Sequence, residues 1–385
     1  MPQPWATFRP EQSRDGGIGP TRSASLFVEM TIPARPVDVG LSFATPDGRR
    51  VPLSVLDLAP VPTGSSVGDA LQASLALAER VEALGYRRLW VAEHHNMPGI
   101  ASSSPAVLLA AIAARTSTIR IGSGGVMLPN HAPLVVAEQF GMLEALHPGR
   151  VDLGIGRAPG TDQLTAYALR RSVEALNADE FPAQLTDLLG FFSGQWPAGH
   201  LMAGVTAVPG KGNPPQLWLL GSSDYSAQVA AMLGLPFAFA HHFGPANTEP
   251  ALAVYRARFR PSAALDRPYA MVCAAVLCAD TDRSARALAE PGALGFLRLR
   301  AGRPSTTPTP EETASYDFSP AEREFVDGRL DAQIIGAPAT VGRRVTELLE
   351  STAADELMVT TSTFDPADRM RSFELLAALA AGESG

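Results

Sequence analysis

From Pro52 onward the chain alternates strand-like and helix-like segments with little filler between them, and no other sequence feature narrows the fold as far. Strand-like runs fall at 53–61, 88–93, 119–128, 151–155, 216–220, 237–240, 269–278 and 356–361. Helical periodicity occupies 68–84, 104–115, 133–146, 225–233, 250–259, 282–289, 340–351 and 367–380. In the first helix Leu71, Leu75, Ala78 and Val81 share a face, and Gly85 supplies the stop. Eight strands with helices between them belong to a parallel sheet wrapped by helices, so the predicted fold class is α/β, a (β/α)8 TIM barrel.

Two stretches interrupt this rhythm, one after strand 4 at about 173–215 and one after strand 7 at about 291–332. The first contains one predicted helix over 181–192. The second, built around Pro304-Ser-Thr-Thr-Pro-Thr-Pro310, is expected to be a mobile flap, because loops this long are usually functional covers or linkers. Residues 1–40 are rich in Pro and Gly and are expected to form an irregular extension, with Met30 offering a later start; 41–385 form the barrel domain.

Composition excludes several function classes. A net charge of −8 leaves no general basic surface for nucleic acid, which points to small-molecule chemistry. No apolar run reaches the roughly 18–20 residues that span a bilayer. The first 40 residues lack the apolar core of a signal peptide, so a cytoplasmic enzyme without membrane association is expected. Cys273 and Cys278 stand an odd number of residues apart on one strand and face opposite sides, which makes them reduced core thiols and not a disulfide.

Chemistry-bearing residues gather where strands end. Ala92-Glu93-His94-His95 follows the second strand, and His241-His242 follows the sixth. Such positions project into the mouth of a parallel barrel. The first cluster is open to three readings: polar groups bonded to backbone, a metal site, or acid/base and hydrogen-bonding work suited to imidazole. Adjacent histidines on a strand point to opposite faces, which disfavours the metal.

Gly122-Ser-Gly124-Gly125 allows backbone to approach a flat ligand, or simply makes a bulge. Gly154-Ile-Gly-Arg157 is a poor dinucleotide fingerprint, since its spacing and its place at the fourth strand are both wrong. Arg157 is a candidate anion contact. Gly221-Ser222-Ser223-Asp-Tyr-Ser226 enters a helix and offers hydroxyls, free amides and the positive end of a helix dipole to a phosphate, or else an ordinary N-cap.

In this order, the segments resemble the bacterial-luciferase-like, flavin-dependent monooxygenases over roughly residues 52–280 and 335–379. The resemblance implies that His94 lies beside the reactive edge of the flavin with Ala92 next to it. It implies a non-proline cis peptide at Gly124–Gly125 under the ring, Arg157 near the phosphate and ring, and Ser222, Ser223 and Ser226 at the phosphate. Arg170 would add charge there, and His241 would take the place of a ring-contacting aromatic. Luciferase has a reactive cysteine where this chain has Gly156, so no thiol role carries over.

The implied activity uses reduced FMN from a separate flavin reductase, and O2, to oxygenate a small organic substrate through a flavin C4a-hydroperoxide. A secondary metabolite such as an aromatic polyketide is the expected substrate, and a homodimer the expected assembly. The alternatives are an F420-dependent hydride transferase of the same fold and a non-catalytic flavin-binding partner subunit.

Overall fold

The computed structural model describes residues 40–158, 160–170 and 180–382. The extension over residues 1–39 and the start of the first insertion, residues 173–179, lie outside the described residues. Eight parallel strands form a closed ring: β1 (Arg50–Asp57), β2 (Arg88–Val91), β3 (Arg120–Met127), β4 (Val151–Gly156), β5 (Gln216–Gly221), β6 (Phe237–Phe239), β7 (Ala270–Cys278) and β8 (Glu356–Thr360). Each pairs with the next, and β8 returns to β1 with Leu357 opposite Leu53, so the barrel has no free edge. This is the (β/α)8 barrel that the alternation predicts.

The strand period of two sorts the side chains. Leu53, Val55, Leu89, Val91, Leu153 and Ile155 face the surrounding helices, while Leu56, Trp90, Trp218, Met271, Cys273 and Met358 fill the barrel. Cys273 therefore sits inside the barrel and Cys278 outside it, and both are free thiols. Beneath the tryptophans, at the closed end, lies a charged layer. Arg88 is 1% exposed and bonds Asp152 through Nη1 at 2.8 Å and Glu356 through Nε at 2.7 Å. Asp152 also accepts from Trp90 Nε1 at 2.9 Å and from Arg120, and Glu356 accepts from Tyr269 at 2.8 Å and from Ser54.

The helices follow their caps and apolar stripes. Ser66 and Asp69 form a capping box at the start of helix Val67–Ala83, and helix Pro133–Leu146 opens on proline. In the first insertion, helix Phe181–Ser193 lies where it is predicted.

The second insertion differs from its reading. Helix Asp282–Arg300 runs on through Pro291, and helices Pro310–Ala314 and Pro320–Asp331 follow it. An interior proline costs about 3 kcal/mol, but the stripe Ala285, Ala289, Ala293 and Leu294 continues past it and is buried. Val326 and Leu330 pack on that stripe with Leu277 of β7. The short strand Ile334–Gly336 then pairs with Val276–Cys278. The segment is thus mostly helix attached to the barrel, in place of the expected loop. Among the described residues no helix is long and apolar enough to cross a membrane.

Candidate active site

β2 ends at Val91, and the next residue, Ala92, is held by an N–H to the Asp57 carbonyl at 3.1 Å. This fixes Glu93 fully buried at the barrel rim. Its Oε1 accepts from Nε2 of His95 and of His131, both at 2.9 Å, and its Oε2 accepts from the Met127 N–H at 3.0 Å. Asn130 donates to the same carboxylate at 3.4 Å and accepts from Arg170 Nε at 3.1 Å. Burial pushes the Glu93 carboxyl up, but the bonds from His131, His95 and Met127 outweigh it and hold the group at about 2. An ionised carboxylate thus ties the ends of β2 and β3 to the helix Gln163–Arg170 that follows β4.

His94 is directed elsewhere. Its backbone N–H donates to the Ser102 carbonyl at 3.0 Å, and its Nδ1 lies 3.4 Å from the Gly160 carbonyl. A carbonyl can only accept, so the ring proton belongs on Nδ1 and Nε2 keeps its lone pair. Burial pushes this imidazole below its ordinary value, partly offset by the Gly160 carbonyl and the Glu93 charge. His94 is therefore a neutral acceptor at pH 7. Gly160 has φ +66°, and a Cβ there would lie 2.9 Å from the Glu93 carbonyl, so glycine is required for the loop to approach His94.

Beside His94 opens a cavity of about 290 Å³, lined mainly by apolar residues such as Leu58, Ile100, Phe243, Phe296 and Leu299. His242 faces it too, with Nδ1 bonded to the Cys273 carbonyl at 3.0 Å. Burial lowers His242 to about 4. His242, not its neighbour, is the partner of His94 at this cavity. His241 turns its Nδ1 to Thr248 Oγ1 at 2.8 Å.

The Gly124–Gly125 peptide is cis, and the β3–β4 register shifts between Ser123 and Val126. The Ser123 hydroxyl stands in for the lost ladder, donating to the Gly154 carbonyl at 2.9 Å and accepting from its N–H at 3.0 Å. A Cβ at Gly124 would come within 2.7 Å of Leu56, and one at Gly125 within 3.0 Å of Leu220. The glycine floor therefore rests on the barrel filling, and it abuts the residue that precedes the serine turn.

That turn leads into helix Asp224–Leu233, capped by Ser223 without a side-chain hydrogen bond. Ser222 and Ser223 are exposed, whereas Ser226 is buried against Gly221, where a Cβ would lie 2.5 Å from it. The Arg157 guanidinium stands 4.4 Å from the Tyr225 ring centroid. The helix N-terminus, two free serine hydroxyls and one arginine thus meet at one place.

The sequence reading finds the strand-end histidines, the glycine floor and the serine turn, and it expects both Arg157 and Arg170 at the phosphate. The structure sets Arg157 at the serine turn but turns Arg170 towards Asn130, into the Glu93 group. His131 and Arg329 are missing from that reading although they face Glu93 and the cavity, and His242 enters it only as the neighbour of His241. His131 could be found by extending the strand-end rule past β3, and His242 by asking which of a histidine pair points inward.

The sequence model of the family described as luciferase-like monooxygenase matches residues 51–356. The chain belongs to this family, and it is an enzyme of the monooxygenase class. A relative named luciferase-like monooxygenase from Escherichia coli (strain K12) is 48% identical over 327 residues, covering 85% of this chain and 96% of its own. Among solved structures, apo-MsnO8 superposes with a TM-score of 0.77 at 37% identity, covering 86% of this chain and 98% of that one. The fold is shared with the oxygenating constituent of 3,6-diketocamphane monooxygenase of Pseudomonas putida, a structure in complex with FMN. There the TM-score is 0.65 at 19% identity, with 86% of this chain and 98% of that chain covered.

Proposed function

We propose that this chain binds reduced FMN supplied by a separate flavin reductase and uses it with O2 to oxygenate a small organic substrate. The observation that carries this reading is the joining of three unlike surfaces at one barrel mouth. A serine-rich helix N-terminus whose N-cap Ser223 makes no side-chain hydrogen bond stands beside Arg157 and suits a phosphate, the side-chain-free Gly124–Gly125 backbone suits a ring, and neutral His94 faces a mainly apolar cavity. The donors fit FMN. The FMN bound by the Pseudomonas protein of the same fold supports that choice.

Reduced flavin, when bound, supplies the oxygen-activating chemistry. The residues of this chain hold and shield it. Ser222, Ser223 and Arg157 bind the phosphate, with Ser226 packed under the turn. His94 accepts a hydrogen bond or proton at Nε2, oriented by the Gly160 carbonyl on its other nitrogen. Leu58, Ile100, Phe296 and Leu299 keep water from the reacting centre. A secondary metabolite as substrate and a homodimer as the assembled form complete the reading, on family resemblance.

Anaerobic titration of the purified chain with reduced FMN, and in parallel with reduced F420, tests it. FMN should bind, and oxygen addition with candidate substrates should yield an oxygenated product. Exclusive binding of F420 with hydride transfer would overturn the proposal. His94→Ala should retain FMN binding and lose productive oxygenation; unchanged turnover removes His94 from the mechanism.

A further inference from the structure

Helix Pro320–Asp331 of the second insertion delivers one cation to the cavity, Arg329. Its guanidinium carbon lies 3.5 Å from the centroid of the Phe296 ring, and its Nε is buried without a hydrogen-bond partner. Of the arginines nearby, Arg286 is answered by Asp327 and Asp331, Arg298 by Glu312 and Arg323 by Glu290, while the exposed Arg300 stands over the Phe325 ring. Among the described residues no aspartate or glutamate lines the cavity that Arg329 faces. Burial accordingly pushes this guanidinium down to about 10, with no carboxylate to restore it.

A buried cation without a counter-charge is costly, and stacking on one aromatic face offsets only part of that cost. The walls combine apolar side chains, Leu58, Ile100, Phe243 and Leu299 among them, with neutral polar ones such as Thr306, Gln333 and Ser362, and none of these carries a negative charge. At about 290 Å³ the space is at the small end for ligand sites. We propose that Arg329 is a specificity-determining residue for an amphipathic carboxylate substrate, whose anionic head pairs with the guanidinium while its apolar body lies along the cavity beside His94. This assignment rests on the reading of the cavity as the substrate chamber of the flavin site. The head group is fixed by charge, and the body is limited by volume to a medium-length chain or a single ring.

Calorimetric titration of the full chain without flavin tests it, using octanoate against octanamide and 4-phenylbutyrate against its amide. The acids should bind roughly ten- to a hundredfold more tightly than the amides, as expected for a charge-assisted pair in place of a neutral contact. Arg329→Met should abolish that preference and melt at no lower temperature, since it removes an unanswered charge; Arg329→Lys should keep much of it. Equal binding of acid and amide, binding of neither, a preference that survives Arg329→Met, or a lower melting temperature in that variant would each overturn the assignment. Because flavin is absent from this titration, its outcome is separate from that of the FMN binding experiment.

Discussion

Strand β2 and the residues just beyond it carry one buried charged centre at each end of the barrel, and the two are built on opposite principles. At the closed end Arg88 bridges Asp152 and Glu356, its guanidinium 4.8 Å from the Trp218 ring centroid, and both carboxylates take further donors from neighbouring strands. At the mouth Glu93 is similarly answered, but the groups around the cavity are not: His94 and His242 are held neutral, and Arg329 Nε has no hydrogen-bond partner among the described residues. Low dielectric surrounds both ends. What differs is whether the protein itself completes the pairing, and that separates architecture from a place prepared for ligands.

The sharpest way to break this comparison is to unbalance the closed end. Arg88→Met leaves Asp152 and Glu356 buried without their shared cation, and loss of one partner of a buried ion pair costs about 3–5 kcal/mol. Urea unfolding should show that loss with the slope unchanged. A loss under about 1 kcal/mol would mean that the closed end is no better satisfied than the mouth.

The next effect is smaller because Glu93 lies where three loops meet and not inside the barrel. Glu93→Gln keeps the shape but removes the charge that His95 and His131 address, so about 1–3 kcal/mol should be lost. Turnover should fall more than stability suggests, since His94 and Met127 are positioned by the same loops. Equal destabilisation by Arg88→Met and Glu93→Gln, read in the same urea series, would erase the distinction between the two ends.

Much of the barrel is visible in the chain because strand and helix each leave a local period. Helix Pro133–Leu146 has the bounds that the sequence predicts, and the eight strands differ from their readings by a few residues at their ends. Pro291 misleads because a local rule against proline is overridden by burial of Ala289, Ala293 and Leu294, which depends on partners far along the chain. The site divides in the same way. Strand-end histidines, paired glycines and a serine turn are local signals. That His131 meets Glu93, that His242 and not His241 lines the cavity, and that Arg329 lacks a carboxylate are facts of tertiary geometry. In sequence Arg329 is one charged residue in a polar helix, the ordinary mark of a solvated face.

The mildest test uses the histidines of the mouth. His242 has a folded value of about 4 against an ordinary 6.5, lowered by burial and by the neighbouring Arg329, His241 and His94, while the Cys273 carbonyl acts in the other direction. A depressed base favours the folded state only while it is neutral. Its contribution is therefore complete above about 6.5 and is lost as the pH falls from there towards about 4. Glu93, held at about 2, begins to lose its own contribution only below the ordinary glutamate value of 4.5, so the window from pH 6.5 to 5 belongs to the histidines. In that window the melting temperature should fall by an amount equivalent to about 1 kcal/mol, and His242→Asn should flatten the slope, leaving the part due to His94, His241 and His147, which burial also lowers. Arg329→Met should flatten it as well, because removing that cation lets His242 accept a proton in the folded state at higher pH. A slope that neither substitution changes would place the proton uptake outside the cavity, and the neutral imidazoles would then no longer distinguish the mouth from the closed end.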